Sequence, residues 1–395
     1  MAYRPHPSEK MKAALCAGTK SIELVEVPKP MITASKDAIV HITHCTMCGS
    51  DLDMDNGGLN KVIEKRLIMS REAIGIVEQI GPKVKNLEIG DRVIILPVMA
   101  FEECFYCSHK GFSLCDRTNT SGKRERMCGH RLSGILGGSQ ITGGYPGDQA
   151  EYCRVPNADL TCVKAPNNVN AKKLVGLADV TPTAWHGCEL AGVSEGDIIG
   201  VWGCGAVGLS IQRLAKLRGA HKVYAIDKDA NRLEIAKSFG MIPVNVNDHP
   251  DPADYILSVE PHGLDRGVEA SGFRNTDSAA HATMRIVSVE GDCSDAAGEV
   301  IKATRKGGVV ALSGDLLLEK AITLRGGQLY GEKYFPFLLD LVVEGKYDPS
   351  FIFTHEDNFE NISEIYDEFF NHKEPGGMKV CLATAFGRSQ MLSPA

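Results

Sequence analysis

Between Val201 and Asp227 the chain reads VWGCGAVGLSIQRLAKLRGAHKVYAID, and three glycines in it carry the first chemistry. Gly203, Gly205 and Gly208 stand at Gly-x-Gly-x-x-Gly spacing, after the apolar run Ile198 to Trp202 and ahead of a helical pattern. At this spacing Gly203 allows a tight turn, Gly205 lets backbone approach a pyrophosphate, and Gly208 lets a helix pack close on a strand. The helix N-terminus then offers free N–H groups and a partial positive charge to the phosphates. A second apolar run, Val223 to Ile226, stops at Asp227. A carboxylate there accepts hydrogen bonds from an adenosine ribose and would repel a 2′-phosphate. The stretch therefore predicts a dinucleotide site that prefers NAD to NADP. The competing reading is a doubly wound domain that kept the fold and lost the ligand.

Such a turn needs a parallel sheet to hold it, and the second half of the chain has the pattern for one. Strand and helix alternate from Ile198–Trp202 through 206–218, 223–226, 230–239, 243–246, 252–259, 266–270, 294–304 and 309–313. This βαβ alternation implies a parallel sheet with helices on both faces. Residues 172 to 190 read as a helix broken at Pro182, and 335–344 as another. The first half is different. Short β segments at 13–15, 22–27, 38–42, 74–80, 92–96 and 151–155 are punctuated by Gly, Pro and Asn-Gly, as in an irregular β barrel. Residues 116 to 148 are Gly-rich and basic in their first part, which reads as a solvated surface excursion. The tail from 351 to 384 is mixed and ends in an apolar strand at 379–382.

Composition bounds the function classes. A length of 395 residues fits about two domains. A formal charge of -7 and the lack of a long basic run argue against nucleic acid. No apolar stretch is long enough to span a membrane, and the first ten residues carry no apolar segment of a secretory signal. The 13 cysteines then read as reduced thiols or metal ligands of a cytoplasmic protein, not as disulfides.

Further motifs surround the dinucleotide stretch. They are Cys48-Gly49-Ser50-Asp51, Arg71-Glu72-Ala73-Ile74-Gly75-Ile76-Val77, Cys104-x2-Cys107-x7-Cys115, Gly147-Asp148-Gln149-Ala150-Glu151-Tyr152, the run ADVTPTAWHG from Ala178 to Gly187, and Gly327-Gln328. In that order around a Rossmann pattern, the chain resembles the medium-chain zinc-type alcohol dehydrogenases, above all the glutathione-independent formaldehyde dehydrogenase-like branch. The resemblance runs from Met11 to about Ala385.

It implies an α/β protein: a GroES-like, β-rich catalytic domain plus a doubly wound parallel-sheet Rossmann domain, with the active site in the cleft between them. The expected division is a disordered lead over 1–10, a catalytic domain over 11–178, a Rossmann domain over 179–345, and a return to the catalytic domain over 346–395. The resemblance also implies an NAD-dependent oxidoreductase, a homodimer or homotetramer acting on a small molecule. A zinc ion in such enzymes polarises the substrate oxygen, held by a Cys, a His and, in this branch, an Asp, with a Glu close by. Cys48 matches the Cys, Asp179 the Asp and Glu72 the Glu. Ser50 matches the hydroxyl that passes the proton on. Gly49 and Val207 fall at cofactor-binding positions, and Arg232 matches an Arg that reaches the adenosine ribose. Cys104, Cys107 and Cys115 match three of the four ligands of a structural zinc lobe.

The departures from the family pattern carry as much meaning. The His ligand position is Arg71, the relay His position is Asp53, and the first structural-zinc Cys is Phe101. Arginine has no usable lone pair, so it cannot ligate zinc. Cys48, Glu72 and Asp179 without a metal would crowd acidic groups in a partly buried pocket. A guanidinium at 71 compensates them and can pair bidentately with Glu72 or Asp179. The expected site is thus metal-free, with Arg71 taking the electrophile's part on an oxyanion or a substrate carboxylate and with Ser50, Asp53 or Cys48 handling the proton. In the alternative Arg71 swings out and Glu72 completes a zinc sphere. Two other functions fit the same residues: NAD held tightly for an isomerisation, dismutation or elimination, or a non-catalytic NAD-binding protein. Cys16, Cys128, Cys153, Cys162, Cys188, Cys204, Cys293 and Cys381 show no ligand spacing and are expected as buried small apolar residues.

Overall fold

The computed structural model describes residues 5–18, 21–49, 51, 67–271, 295–311, 323–370 and 377–391. Ser50, Asp53 and Cys293 lie outside them. The chain divides into two units, one of Met1–Pro182 with Leu329–Ala395 and one of Thr183–Gln328.

The first unit is built on antiparallel strands. β1 (Pro5–Gly18) pairs with β2 (Ser21–Pro30), and the pairing reaches from Gly18 back to Pro5. Of residues 5–10, expected as part of a disordered lead, Pro5 and Lys10 pair with β2, with an irregularity in the register between them. The main sheet takes β3 (Ala38–Thr46), β4 (Ala73–Ile80), β5 (Arg92–Ile95), β8 (Tyr152–Val155), β9 (Cys162–Lys164), β16 (His355–Asn358) and β17 (Val380–Ala383), in the order β16-β17-β3-β4-β5-β9 with β8 also on β3. Between β5 and β8 a short ribbon joins β6 (Val98–Met99) to β7 (Gly134–Ile135). Residues over 116–148 are not simply a solvated excursion. The helix Gly122–Cys128 is on the outside, but Ser133, Leu136, Tyr145 and Asp148 are buried. Tyr145 donates to the Thr118 carbonyl at 2.6 Å, so the second part of the segment folds back onto the core. Val40, Ile42, Val93, Ile95, Met99, Leu136 and Tyr366 belong to one apolar core.

The helix expected over 172–190 is two helices, Ala171–Ala178 and Val180–Ala191. The break falls at Asp179 (φ -135°, ψ -52°), not at Pro182. Pro182 sits in the first turn of the second helix, where its missing N–H costs nothing.

In the second unit β10 (Ile198–Trp202), β11 (Lys222–Asp227), β12 (Ile242–Asn245), β13 (Leu264–Glu269), β14 (Thr304–Val310) and β15 (Thr323–Leu324) form a parallel sheet in the order β12-β11-β10-β13-β14-β15. Ile199 to Trp202 and Val223 to Ile226 are buried throughout, as strands covered on both faces must be. Among the described residues no helix is long and apolar enough to cross a membrane.

Candidate active site and coenzyme turn

The turn after β10 has the shape a dinucleotide needs. Gly203 has φ +102°, and its N–H donates to the Ile226 carbonyl at 2.7 Å. That conformation is open to glycine and strained for other residues. Gly208 packs against the Gly203 carbonyl, where a side chain would clash. Gly205 caps the helix Ala206–Leu217 with no side-chain hydrogen bond, and a Cβ on it would meet nothing within 4 Å among the described residues. Free N–H groups at a helix N-terminus fit a pyrophosphate. Half-buried Val207 lies in the first turn of this helix. The Asp227 carboxylate accepts from the backbone N–H groups of Cys204 (2.6 Å), Lys228 (2.7 Å) and Asp229 (2.9 Å). These bonds lock its direction at the end of β11. Arg232 Nε lies 3.6 Å from Asp229 Oδ2.

The second cluster is brought together by three strand ends and one helix break. β3 and β4 pair antiparallel, and Thr46 N–H donates to the Glu72 carbonyl at 3.1 Å. Cys48, just past β3, therefore meets Ser70, Arg71 and Glu72, just ahead of β4. Ser70 takes φ +64°, a left-handed conformation, and its hydroxyl donates to the Thr46 carbonyl at 2.9 Å. Asp179 enters from the helix break, and exposed Gly49 stands beside Cys48. One ligand atom each from Cys48, Glu72 and Asp179 lies within 4.8 Å of the others.

Two protein cations already hold that cluster. Arg71 Nε donates to Asp179 Oδ2 at 3.3 Å, and Nη2 reaches Cys48 Sγ at 3.4 Å. Glu72 does not join Arg71; its Oε2 lies 2.5 Å from Lys379 Nζ, which also donates to the Met47 carbonyl at 3.0 Å. Lys379 escaped the sequence reading. It precedes β17, whose register on β3 (Cys381 opposite Thr46, Leu382 opposite Cys45) carries it to the level of Cys48. Its one sequence signal is a lysine at the head of the apolar strand Val380–Ala383.

Burial pushes the Cys48 thiol up to about 11, with Arg71 pulling it down against that. Burial also raises the Glu72 carboxyl, and Lys379 opposes it. Arg71 remains a cation: burial works against its charge, but Cys48 and Asp179 outweigh it. Beneath the cluster Asp51 accepts the Cys48 N–H at 2.9 Å and the Tyr366 hydroxyl at 3.3 Å, while Gln149 donates to Tyr366 at 2.9 Å and to the Thr46 carbonyl at 3.1 Å. This buried network fixes the turn that carries Cys48.

The donor set fits zinc poorly. Each carboxylate is paired with a fixed cation, and a divalent ion would sit against two positive charges. Catalytic zinc takes three protein ligands and keeps a fourth position open.

The three cysteines of the expected structural lobe converge as well. Cys104, Cys107 and Cys115 place their sulfurs within 4.8 Å of one another, and Cys104 Sγ lies 3.5 Å from Cys107 Sγ. Phe101, at the missing ligand position, packs against them with Tyr106, Phe112 and Leu160. Glu102, which could have offered an oxygen, is exposed and pairs with Lys36 at 3.3 Å. Four ligands close a structural zinc site, and among the described residues only three converge here. Of the other cysteines, Cys16, Cys153, Cys162, Cys188, Cys204 and Cys381 are buried.

An antiparallel unit carrying the Cys48 cluster and a parallel unit carrying the glycine turn define a two-part dinucleotide-dependent oxidoreductase. Residues 34–167 match the alcohol dehydrogenase GroES-like domain and residues 206–344 the zinc-binding dehydrogenase domain. The chain is 37% identical over 391 residues to a zinc-type alcohol dehydrogenase-like protein of Schizosaccharomyces pombe, covering 95% of this chain and 92% of that one. It is 33% identical over 386 residues to a zinc-type alcohol dehydrogenase-like protein of Bacillus subtilis, covering 94% and 100%. The fold is similar to that of zinc-dependent alcohol dehydrogenase 2 from Streptococcus pneumonia, with a TM-score of 0.79, 28% identity and coverage of 98% and 100%. It is also similar to that of alcohol dehydrogenase TADH from Thermus sp. ATN1, with a TM-score of 0.78, 27% identity and coverage of 95% and 100%. The chain belongs to the medium-chain zinc-type alcohol dehydrogenase superfamily and is an NAD(P)-dependent oxidoreductase.

Proposed function

We propose that this oxidoreductase uses NAD(H) and exchanges hydride with a carbonyl, an alcohol or a polarised double bond, and that Arg71 stands in for the catalytic zinc. The observation that carries the reading is the guanidinium lying between Cys48 Sγ and Asp179 Oδ2. Exposure decides which cation meets the substrate. The Arg71 side chain keeps 19% of its surface exposed and that of Lys379 4%. Lys379 neutralises Glu72, and Arg71 presents its remaining donors to an oxyanion or a carboxylate. The preferred substrate is therefore a small molecule with an acidic or carboxylate group near the reacting carbon.

NAD, bound over Gly203, Gly205, Val207 and Gly208, supplies the hydride acceptor. Asp227 takes the adenosine ribose hydroxyls, assisted by Arg232. The chain's own residues hold the substrate oxygen at Arg71 and move its proton. Cys48, protonated through the working range, donates or shields; Ser50 and Asp53 lie next to it in sequence as relay groups.

The test is a screen followed at 340 nm, with paired carbonyl substrates that differ only in a carboxylate. The expected result is turnover favouring the carboxylated member, with Arg71→Ala lowering kcat/KM about 100-fold or more. Unchanged turnover in Arg71→Ala, or tightly held zinc at about one ion per chain bound by Cys48, overturns the assignment.

A further inference from the structure

We propose that Cys104 and Cys107 form a redox-active dithiol, closed to a disulfide by a hydroperoxide, where the fold would otherwise hold a structural metal. The geometry is already close. Their sulfurs are 3.5 Å apart, and a disulfide brings them to about 2.05 Å. Both sit on the one-turn helix Phe105–Ser108, Cys104 as its N-cap and Cys107 within it. Phe105, between the two cysteines, is exposed. The missing fourth ligand matters most. Four ligands would lock thiolates onto a metal, whereas Phe101 leaves three sulfurs facing one another in an apolar nest.

Access and seclusion favour the intramolecular product. Cys104, Cys107 and Cys115 are 6%, 5% and 0% exposed, which blocks cross-linking between molecules. Asp116, whose backbone N–H and carboxylate both bond the Cys104 sulfur, also lines a cavity of about 340 Å³ with Tyr106, Arg117, Glu125, His130 and Arg131. A small peroxide entering there is separated from Cys104 by Asp116 and Tyr106. The Cys104 thiolate attacks the peroxide O–O bond, giving Cys104–SOH and, from hydrogen peroxide, one water once the leaving hydroxide takes up the thiol proton. Cys107 then attacks the sulfenic sulfur, and its proton leaves with the hydroxyl as a second water. Two thiols lose two electrons, and one peroxide gains them. Cys115 remains as a third thiol able to exchange with the bond.

Tryptic mapping of the full-length protein after hydrogen peroxide treatment reads the pairing directly. Cys104 and Cys107 share the peptide Val93–Lys110, and Cys115 lies on Gly111–Arg117. The expected product is Val93–Lys110 lighter by two hydrogens, with Gly111–Arg117 unlinked and the change reversed by dithiothreitol. Cys104→Ser should slow thiol loss in this region about tenfold, and Cys115→Ser should leave the Val93–Lys110 product intact. Wild-type mapping alone decides the matter where a variant folds poorly. Three outcomes overturn the proposal: a cross-link between the two peptides as the main product, stable sulfinic acid at Cys104 with Cys107 unchanged, or a resident zinc whose removal by chelator is required before any of the three thiols reacts.

Discussion

At residue scale two side-chain cations, Arg71 and Lys379, meet the acidic groups of the Cys48 cluster. A buried ion pair adds little net stability over an apolar pair, yet removing one partner leaves the other charge uncompensated. Lys379→Met strands Glu72, which is 1% exposed. The expected loss is about 3–5 kcal/mol, read as a lower urea midpoint, and the double variant Lys379→Met/Glu72→Gln should recover most of it. Arg71→His restores a Cys, His and Asp set at the same strand ends. That variant should take up about one zinc ion per chain where the wild type takes up none at this site, measured by metal analysis after zinc loading and gel filtration. The Arg71 substitution was legible as a loss of a ligand, because one residue type settles whether a lone pair exists. Its partner was not. Glu72 and Asp179 were equal candidates until the fold supplied Lys379 for one of them.

At the scale of elements, β3 is the hub of the main sheet of the first unit: β4, β8 and β17 all pair with it, and Cys48 lies two residues past its end. The strand also carries two histidines. Burial lowers both His41 and His44 to about 4. His41 stacks between Tyr152 and Phe386, at centroid distances of 4.2 and 3.7 Å. His44 Nδ1 is buried with no hydrogen-bond partner among the described residues. The unfolded chain protonates these groups near 6.5, so below that pH it binds protons the folded state refuses. Stability is full above pH 6.5 and falls as the pH drops toward about 4. His44 alone accounts for at most about 3 kcal/mol of this loss. Denaturant midpoints at pH 7 and pH 5 check it, and His41→Phe, which keeps the stack, should reduce the difference. A lone His on a strand reads as a core residue, and the sequence showed no more than that. The helix break at Asp179 was misplaced for a related reason: a proline at a helix start and a proline that ends a helix look alike until the preceding turn is seen.

At the scale of the whole molecule, ligand binding and folding are linked. A coenzyme that binds only the folded state stabilises it by about 2.7 kcal/mol at a hundredfold excess over Kd. NADH should raise the melting temperature, and NADPH should do so far less if the Asp227 carboxylate meets the extra phosphate. Differential scanning fluorimetry with both coenzymes tests this, and Asp227→Asn should narrow the gap between them. The same variant should lower the melting temperature of the free protein, since three backbone N–H groups converge on that carboxylate.

The amino-acid sequence by itself determined the parallel sheet, the coenzyme turn and the loss of a lone pair at position 71. Each of these rests on neighbours along the chain: a period, a glycine spacing, a residue type. The tertiary structure alone decided that Lys379 answers Glu72 and that Asp179, at a helix break, is the carboxylate Arg71 takes. Those contacts join segments up to about three hundred residues apart, through the register of β17 on β3 and of β3 on β4. Strand register is set by which faces the whole core must bury, and no local pattern carries that information.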